Sequence, residues 1–181
     1  MLSNYDLDAF GYGMNSKKAV SAEPDAFTCT MSLLEADPRI RLLQNYQQHQ
    51  GHTTFQHCRH VAVSSYRLAK VLHLKIDGKA LATGAMLHDY YLYNYRDTDI
   101  GGFQHGVSHP QTALENAEKE FELTEIERNI ITSHMWPLTL TALPRGREAM
   151  LVVITDKYCA LNEMICGLTK RVAGKMRVLT E

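Results

Sequence analysis

Cysteine is sparse in this chain and never paired at a working spacing: Cys29, Cys58, Cys159 and Cys166 form no CxxC motif. A disulfide scaffold is shorter and far richer in cysteine, so these are read as reduced thiols, and zinc held by thiolate is not expected. Long apolar runs are also missing. The longest, residues 149–154, falls far short of the ~20 residues that cross a bilayer. The N-terminal stretch lacks the apolar core of a secretory signal, so the expectation is a cytoplasmic protein without a membrane partner. No basic excess exists either. Nineteen Lys and Arg stand against 20 Asp and Glu, for a formal charge of -1, which argues against a nucleic-acid polymer as partner. There is no P-loop, no dinucleotide-binding glycine fingerprint, no internal repeat and no low-complexity segment.

What is present fits an ordinary folded unit. The 181 residues, 45% hydrophobic and 22% charged, are enough to bury a core. Residues 1–25 lack a sustained period and read as a loosely ordered arm before a helical domain over 26–181. A short helix is expected after Thr30. Asp37-Pro38 caps and opens the next, with Ile40 and Leu43 inside and Gly51 at its end. Thr53 or Thr54 caps a long helix with the stripe Val61, Leu68, Ala69 and Leu72. Asp77 caps another, with Leu81, Gly84 and Ala85 inward. Ser108 and Gln111 form a capping box ahead of Ala113, Ala117 and Phe121. Thr124 and Glu127 form a second, ahead of Ile126 and Ile130, which Pro137 stops. A last helix starts near Arg145 and carries Ala149, Val152, Val153 and Ala160. Nothing alternates cleanly enough for a strand, so the fold class is all-α. Residues 90–107 read as the one long loop, rich in tyrosine and holding two adjacent glycines; such loops are often functional. The basic tail, with Lys170, Arg171, Lys175 and Arg177, reads as a solvated helix face.

Histidine is the unusual entry in the composition, with nine residues, and their positions matter more than their number. His57 lies four residues before Val61 and extends that stripe. His88 follows Leu81, Gly84 and Ala85 at helical spacing. Asp89 is next, about 100° round the helix. His109 opens the face of Ala113 and Ala117, His134 continues the line of Ile126 and Ile130, and Asp156 interrupts that of Val152 and Ala160. Six ionisable groups thus fall on the inward faces of five helices. An unpartnered carboxylate in an apolar core costs several kcal/mol or takes up a proton. Five helices making the same placement call for a shared cation. Imidazole and carboxylate without thiolate suit iron, manganese, zinc, cobalt or nickel.

The His88-Asp89 doublet ending an apolar helix, as GAMLHDYY, resembles the defining motif of the HD superfamily of metal-dependent phosphohydrolases. HCRHVA around His57 resembles the first-histidine motif and TDKYCALNE around Asp156 the closing aspartate motif. HPQTAL from His109 and SHMWP around His134 are similar to the extra histidine motifs of two-metal members, including the HD-GYP branch. The GYP element is absent, so cyclic di-GMP hydrolysis is not implied. The resemblance implies a single helical HD-type domain, motifs over 57–160, with the metal site between helices. It implies that His57, His88, Asp89 and Asp156 hold a first divalent ion, and that Asp89 bridges to a second, completed by His109 and His134. Iron or manganese is expected, with zinc, cobalt, nickel or magnesium compatible. The implied function is hydrolysis of a nucleotide or another small phosphate ester by a metal-activated hydroxide, with Asp89 and His88 at its catalytic centre.

Two alternatives share the ligand set: a di-iron HD-type oxygenase, and a regulatory module that keeps a metal without turnover. Among the remaining candidates, His60 reads as a supporting or surface histidine in preference to a proton donor. Lys157 is open between a substrate phosphate and a salt bridge on the helix flank. His105 is the rival of His109. Trp136 reads as a core anchor, and Tyr90, Tyr91, Tyr93 and Tyr95 as a pocket lining or a cover over helix ends. His49, His52 and His73 read as solvent-facing.

Overall fold

The computed structural model describes residues 24–49 and 51–178; the expected arm, up to residue 23, lies outside them. The chain order is α1 (Ala26–Ala36), α2 (Pro38–Arg41), a 3-10 turn (Leu42–Asn45), β1 (Gln47–His49), β2 (His52–Thr53), α3 (Thr54–Val71), α4 (Gly78–Leu87), a 3-10 turn (Tyr95–Asp97), α5 (Gly102–Glu120), α6 (Glu125–Ser133) and α7 (Arg147–Val178). The expectation of an all-helical domain holds, with one small addition. The helix expected to run from Asp37 to Gly51 stops at Asn45, and β1 and β2 form a two-stranded antiparallel hairpin. Ile40 and Leu43 are fully buried. The segment QNYQQH beyond them offers no apolar face to hold another helical turn, and Gly51, at φ +83°, makes the reversal in the left-handed region that glycine favours.

Helix ends largely obey the capping rules. Asp25 caps α1 by accepting from the Thr28 N–H, so that helix starts earlier than expected and buries Phe27, Met31 and Leu34. Thr53 with Gln56, and Thr124 with Glu127, form reciprocal capping boxes on α3 and α6, and Asp77 caps α4. Two stripes need correction. In α3 the buried line is Val61, Ser65 and Ala69, with Leu72 exposed. In α6 it is Glu127, Ile130 and Ile131, with Ile126 on the rim. The Ser108–Gln111 box does not form: Ser108 lies inside α5 and its hydroxyl donates to the Gln104 carbonyl. Pro110 sits within that helix, at the cost of one intrahelical hydrogen bond. The preceding turns persist because His105 packs against Tyr93 and Tyr95, so tertiary contact overrides the local signal. The loop after α4 therefore covers about residues 90–101. The basic tail is part of α7, its side chains beyond Thr169 lying outside the description.

The architecture centres on α4. It packs against α1, α3, α6 and α7, and every residue from Ala80 to Leu87 is buried. A helix that is apolar all round belongs in a core, and burying Leu81, Met86 and Leu87 contributes roughly 1.5–3 kcal/mol each. Small residues let the neighbours close in. A Cβ at Gly84 would stand 2.6 Å from Ile130 Cδ1 and 2.8 Å from Ile130 Cβ, so α4 and α6 touch where no side chain fits. Among the described residues, no helix is long and apolar enough to cross a membrane.

Replacing Gly84 by alanine is expected to destabilise the domain by about 1–3 kcal/mol through overpacking. Gly102→Ala, where nothing lies within 4 Å of the added methyl, is expected to stay within about 0.5 kcal/mol. Urea unfolding of the two variants checks the pair.

Candidate metal centre

The ends of two helices set up the site in the same way. His88 and His134 are the C-cap residues of α4 and α6, both still in helical conformation. Each places its Nδ1 2.8 Å from the carbonyl oxygen three residues back, Ala85 for His88 and Ile131 for His134. A carbonyl only accepts, so Nδ1 carries the proton and Nε2 is the free end. His109, in the middle of α5, does the same with the His105 carbonyl at 2.9 Å. His57, in the first turn of α3, has its Nδ1 3.0 Å from the Glu163 carboxylate of α7, which likewise directs Nε2 inward. Four imidazoles are thus oriented before anything binds.

Their Nε2 atoms converge on two aspartates. Asp89, the residue after His88, divides its oxygens. Its Oδ2 lies 3.5 Å from His88 and 3.8 Å from His57, and its Oδ1 lies 3.1 Å from His109 and 3.5 Å from His134. Asp156 on α7 faces the first set only, 3.0 Å from His57 Nε2 and 3.6 Å from His88 Nε2. Gln48, carried in by β1, donates to Asp89 Oδ2 at 2.6 Å and accepts from the Tyr91 hydroxyl. All six candidate residues are buried. The structure brings all of them together.

The same atoms show what the site is suited to hold. His88 Nε2 and Asp89 Oδ1 are buried without a hydrogen-bond partner, a costly arrangement unless something else satisfies them. His109 Nε2 and His134 Nε2 face each other at 2.8 Å, although each ring already carries its proton on Nδ1. Two lone pairs at that separation repel unless a cation or a proton lies between them. Burial, with His109 and His88 nearby, lowers His134 to about 3, so it stays neutral and able to ligate. Burial opposes charge on His57 and His88 as well, but there the carboxylates win. Hydrogen bonds to Asp156 and Glu163 raise His57 well above the imidazole range, and the charge of Asp89 leads the rise of His88. Protons on these two rings do the work that a divalent ion would do. The donor set fits such an ion, and among the described residues His57, His88 and Asp89, and Asp89, His109 and His134, form groups compact enough to ligate one.

The neighbouring residues bear on several open alternatives. His105 is engaged elsewhere: its Nδ1 lies 3.0 Å from the Tyr93 hydroxyl, its ring stacks on Tyr95, and burial, with His109 beside it, lowers it to about 4. Tyr90 covers a helix end, buried against Phe121, whereas Tyr91 packs edge-on to His109. The Lys157 ammonium donates to the His134 and Val153 carbonyls. Trp136 is half-buried in the turn after α6. Three residues of this region escaped the sequence reading. Glu163 has a sequence signal, since it lies seven residues after Asp156 and so on the same helix face. Burial alone would raise its carboxyl, but hydrogen bonds from His57 and His60 hold it at about 2. Gln48 comes from a hairpin read as helix, and His52, read as solvent-facing, is half-buried beside His60.

A pH dependence follows with a definite sign. His57 and His88 are raised on folding without metal. Their stabilisation is therefore complete below about pH 6.5, the ordinary imidazole value, and is lost as pH rises through the raised values. A divalent ion held there would replace those protons, so its affinity is expected to increase with pH. The gap in melting temperature between metal-loaded and metal-free protein is expected to widen from about pH 6 to about pH 9. Calorimetry checks this; a constant gap contradicts it.

Comparison with known proteins agrees with the geometry. No curated protein and no solved structure matches the chain. A family model described as HD domain matches residues 54–161, from the first residue of α3 into α7 and across all six buried ligand candidates. The chain belongs to the HD domain family.

Proposed function

We propose that this protein is a metal-dependent phosphohydrolase acting on a nucleotide or another small phosphate ester. In this reading His57, His88, Asp89 and Asp156 hold one divalent ion, and Asp89, His109 and His134 hold a second, with iron or manganese the preferred metal. One observation carries it: the two oxygens of Asp89 are divided between two pairs of imidazoles, the placement a bridging carboxylate requires. The family supports the reaction class, since HD domains are generally metal-dependent phosphohydrolases.

Bound divalent ions supply Lewis acidity toward a phosphoryl oxygen and lower the pKa of water. The chain's own residues prepare for that. Main-chain carbonyls of α4, α5 and α6 fix the ring orientation of His88, His109 and His134, and Glu163 does so for His57. Gln48 holds Asp89 Oδ2 through its amide, which keeps the carboxylate from rotating and spoiling the division of its oxygens. The centre is nearly closed to solvent, with Asp156 the most open of the six at 8% exposure, so bulk water is excluded around the reacting atoms. Asp89 and His88 are the residues on which turnover depends most. A groove beside α5 and α6, lined by Val107, Pro110, Thr132 and Leu138 among others, has no charged lining residue and is unsuited to a phosphate.

The test is a phosphomonoester and phosphodiester screen on manganese- and iron-loaded full-length protein, with metal content measured in parallel. Asp89→Ala is expected to lose more activity than the ~10–100-fold that removing a supporting partner costs. His109→Ala and His134→Ala are each expected to lose one metal equivalent. Fully loaded protein that cleaves no phosphorylated compound overturns the reading. Oxygen uptake by the iron form, without hydrolysis by the manganese form, favours the di-iron oxygenase.

A further inference from the structure

A second group of metal-ligating side chains lies on the outer side of Glu163. His57 and His60 stand one turn apart on α3, and the Glu163 carboxylate is shared between them. Oε2 accepts from His57 Nδ1 at 3.0 Å, and Oε1 lies 3.1 Å from His60 Nδ1. His52, from β2, approaches the same point, its ring centroid 5.8 Å from that of His60. One ligand atom from each of His52, His60 and Glu163 lies within 4.8 Å of the others. Glu163 is buried, whereas His52 and His60 are partly open to solvent.

We infer that His52, His60 and Glu163 form a separate, solvent-accessible site for one zinc-class divalent ion, joined to the buried centre through the Glu163 carboxylate. Two imidazoles and one carboxylate are a known donor set for zinc, leaving a fourth position for water or an exchanging ligand. Metal bonds of about 2.0–2.2 Å in a tetrahedron place donors roughly 3.3–3.5 Å apart. The His60–Glu163 pair, at 3.1 Å, already stands slightly closer than that. Closing the group requires rotation of partly exposed side chains, His52 above all, which sits next to the Gly51 turn. The carboxylate is anchored from the other side by His57, so it does not have to be ordered by the ion. None of these three residues belongs to the six proposed for the buried ions, so the site stands or falls independently of the proposed reaction.

The probe is zinc alone, by equilibrium dialysis of the full chain followed by metal analysis. Wild-type protein is expected to hold one zinc more than His52→Ala and one more than His60→Ala, with affinity for that equivalent reduced at least ~10-fold in each. His73→Ala, an exposed histidine outside the group, is expected to match wild type. Melting curves of the metal-free variants confirm that they fold. Wild-type stoichiometry and affinity in either His52→Ala or His60→Ala overturns the three-residue site. Equal loss in His73→Ala overturns it as well, because zinc would then be binding surface histidines at large. Activity does not enter the readout, so failure of the phosphohydrolase reading leaves this result interpretable.

Discussion

A buried carboxylate with imidazoles at both of its oxygens is the constraint around which this protein is organised. Asp89 is taken out of water at the end of a fully buried helix, and its oxygens are divided between His57 and His88 on one side and His109 and His134 on the other. An isolated charge in that position would be prohibitively expensive. The remaining elements meet that cost. α3, α5 and α6 each bring one imidazole, α7 brings a second carboxylate, and the β hairpin brings the Gln48 amide. Without a metal the balance is kept by protons on His57 and His88. In the proposed metal-loaded state the same atoms would serve as ligands.

Packing explains why the convergence is possible. The sequence ALATGAML gives α4 little side-chain bulk, and Gly84 admits Ile130 of α6 to a distance that any side chain would forbid. The C-termini of α4 and α6 can therefore approach closely, and each ends on a histidine whose Nδ1 is tied to its own helix. The His88 and His134 rings meet edge to face at 4.8 Å. Main-chain carbonyls left over at a helix end thus do a second task, fixing the tautomer of a side chain. Rigid helix termini hold such geometry better than loops do.

Much of this was legible in the sequence because helical periodicity makes an intruding polar residue conspicuous. His57, His88 and His134 continue faces that carry the buried Val61, Ala85 and Ile130, and the caps at Thr53, Asp77 and Thr124 are local enough to be read directly. The failures have physical causes. The Ser108–Gln111 box and Pro110 pointed to a helix start, but His105 packed between tyrosines carries α5 back to Gly102. The hairpin was hidden because two very short strands leave no alternation to detect, and Gln48 was lost with it. Glu163 was hidden because a carboxylate late in a long helix looks like solvated surface until α3 is placed against it. Tertiary contact, absent from any local pattern, decided the start of α5 and the place of Glu163.

The central claim is that these buried side chains enclose a pair of divalent ions rather than a set of protons. Anomalous diffraction at the manganese edge, on crystals of the full chain grown with manganese, tests it most directly. The account predicts two peaks about 3.5–4 Å apart, one beside Asp156 and His57 and the other between His109 and His134, with Asp89 in contact with both. A centre without anomalous density under saturating manganese, its carboxylates still bonded to protonated imidazoles, would contradict it.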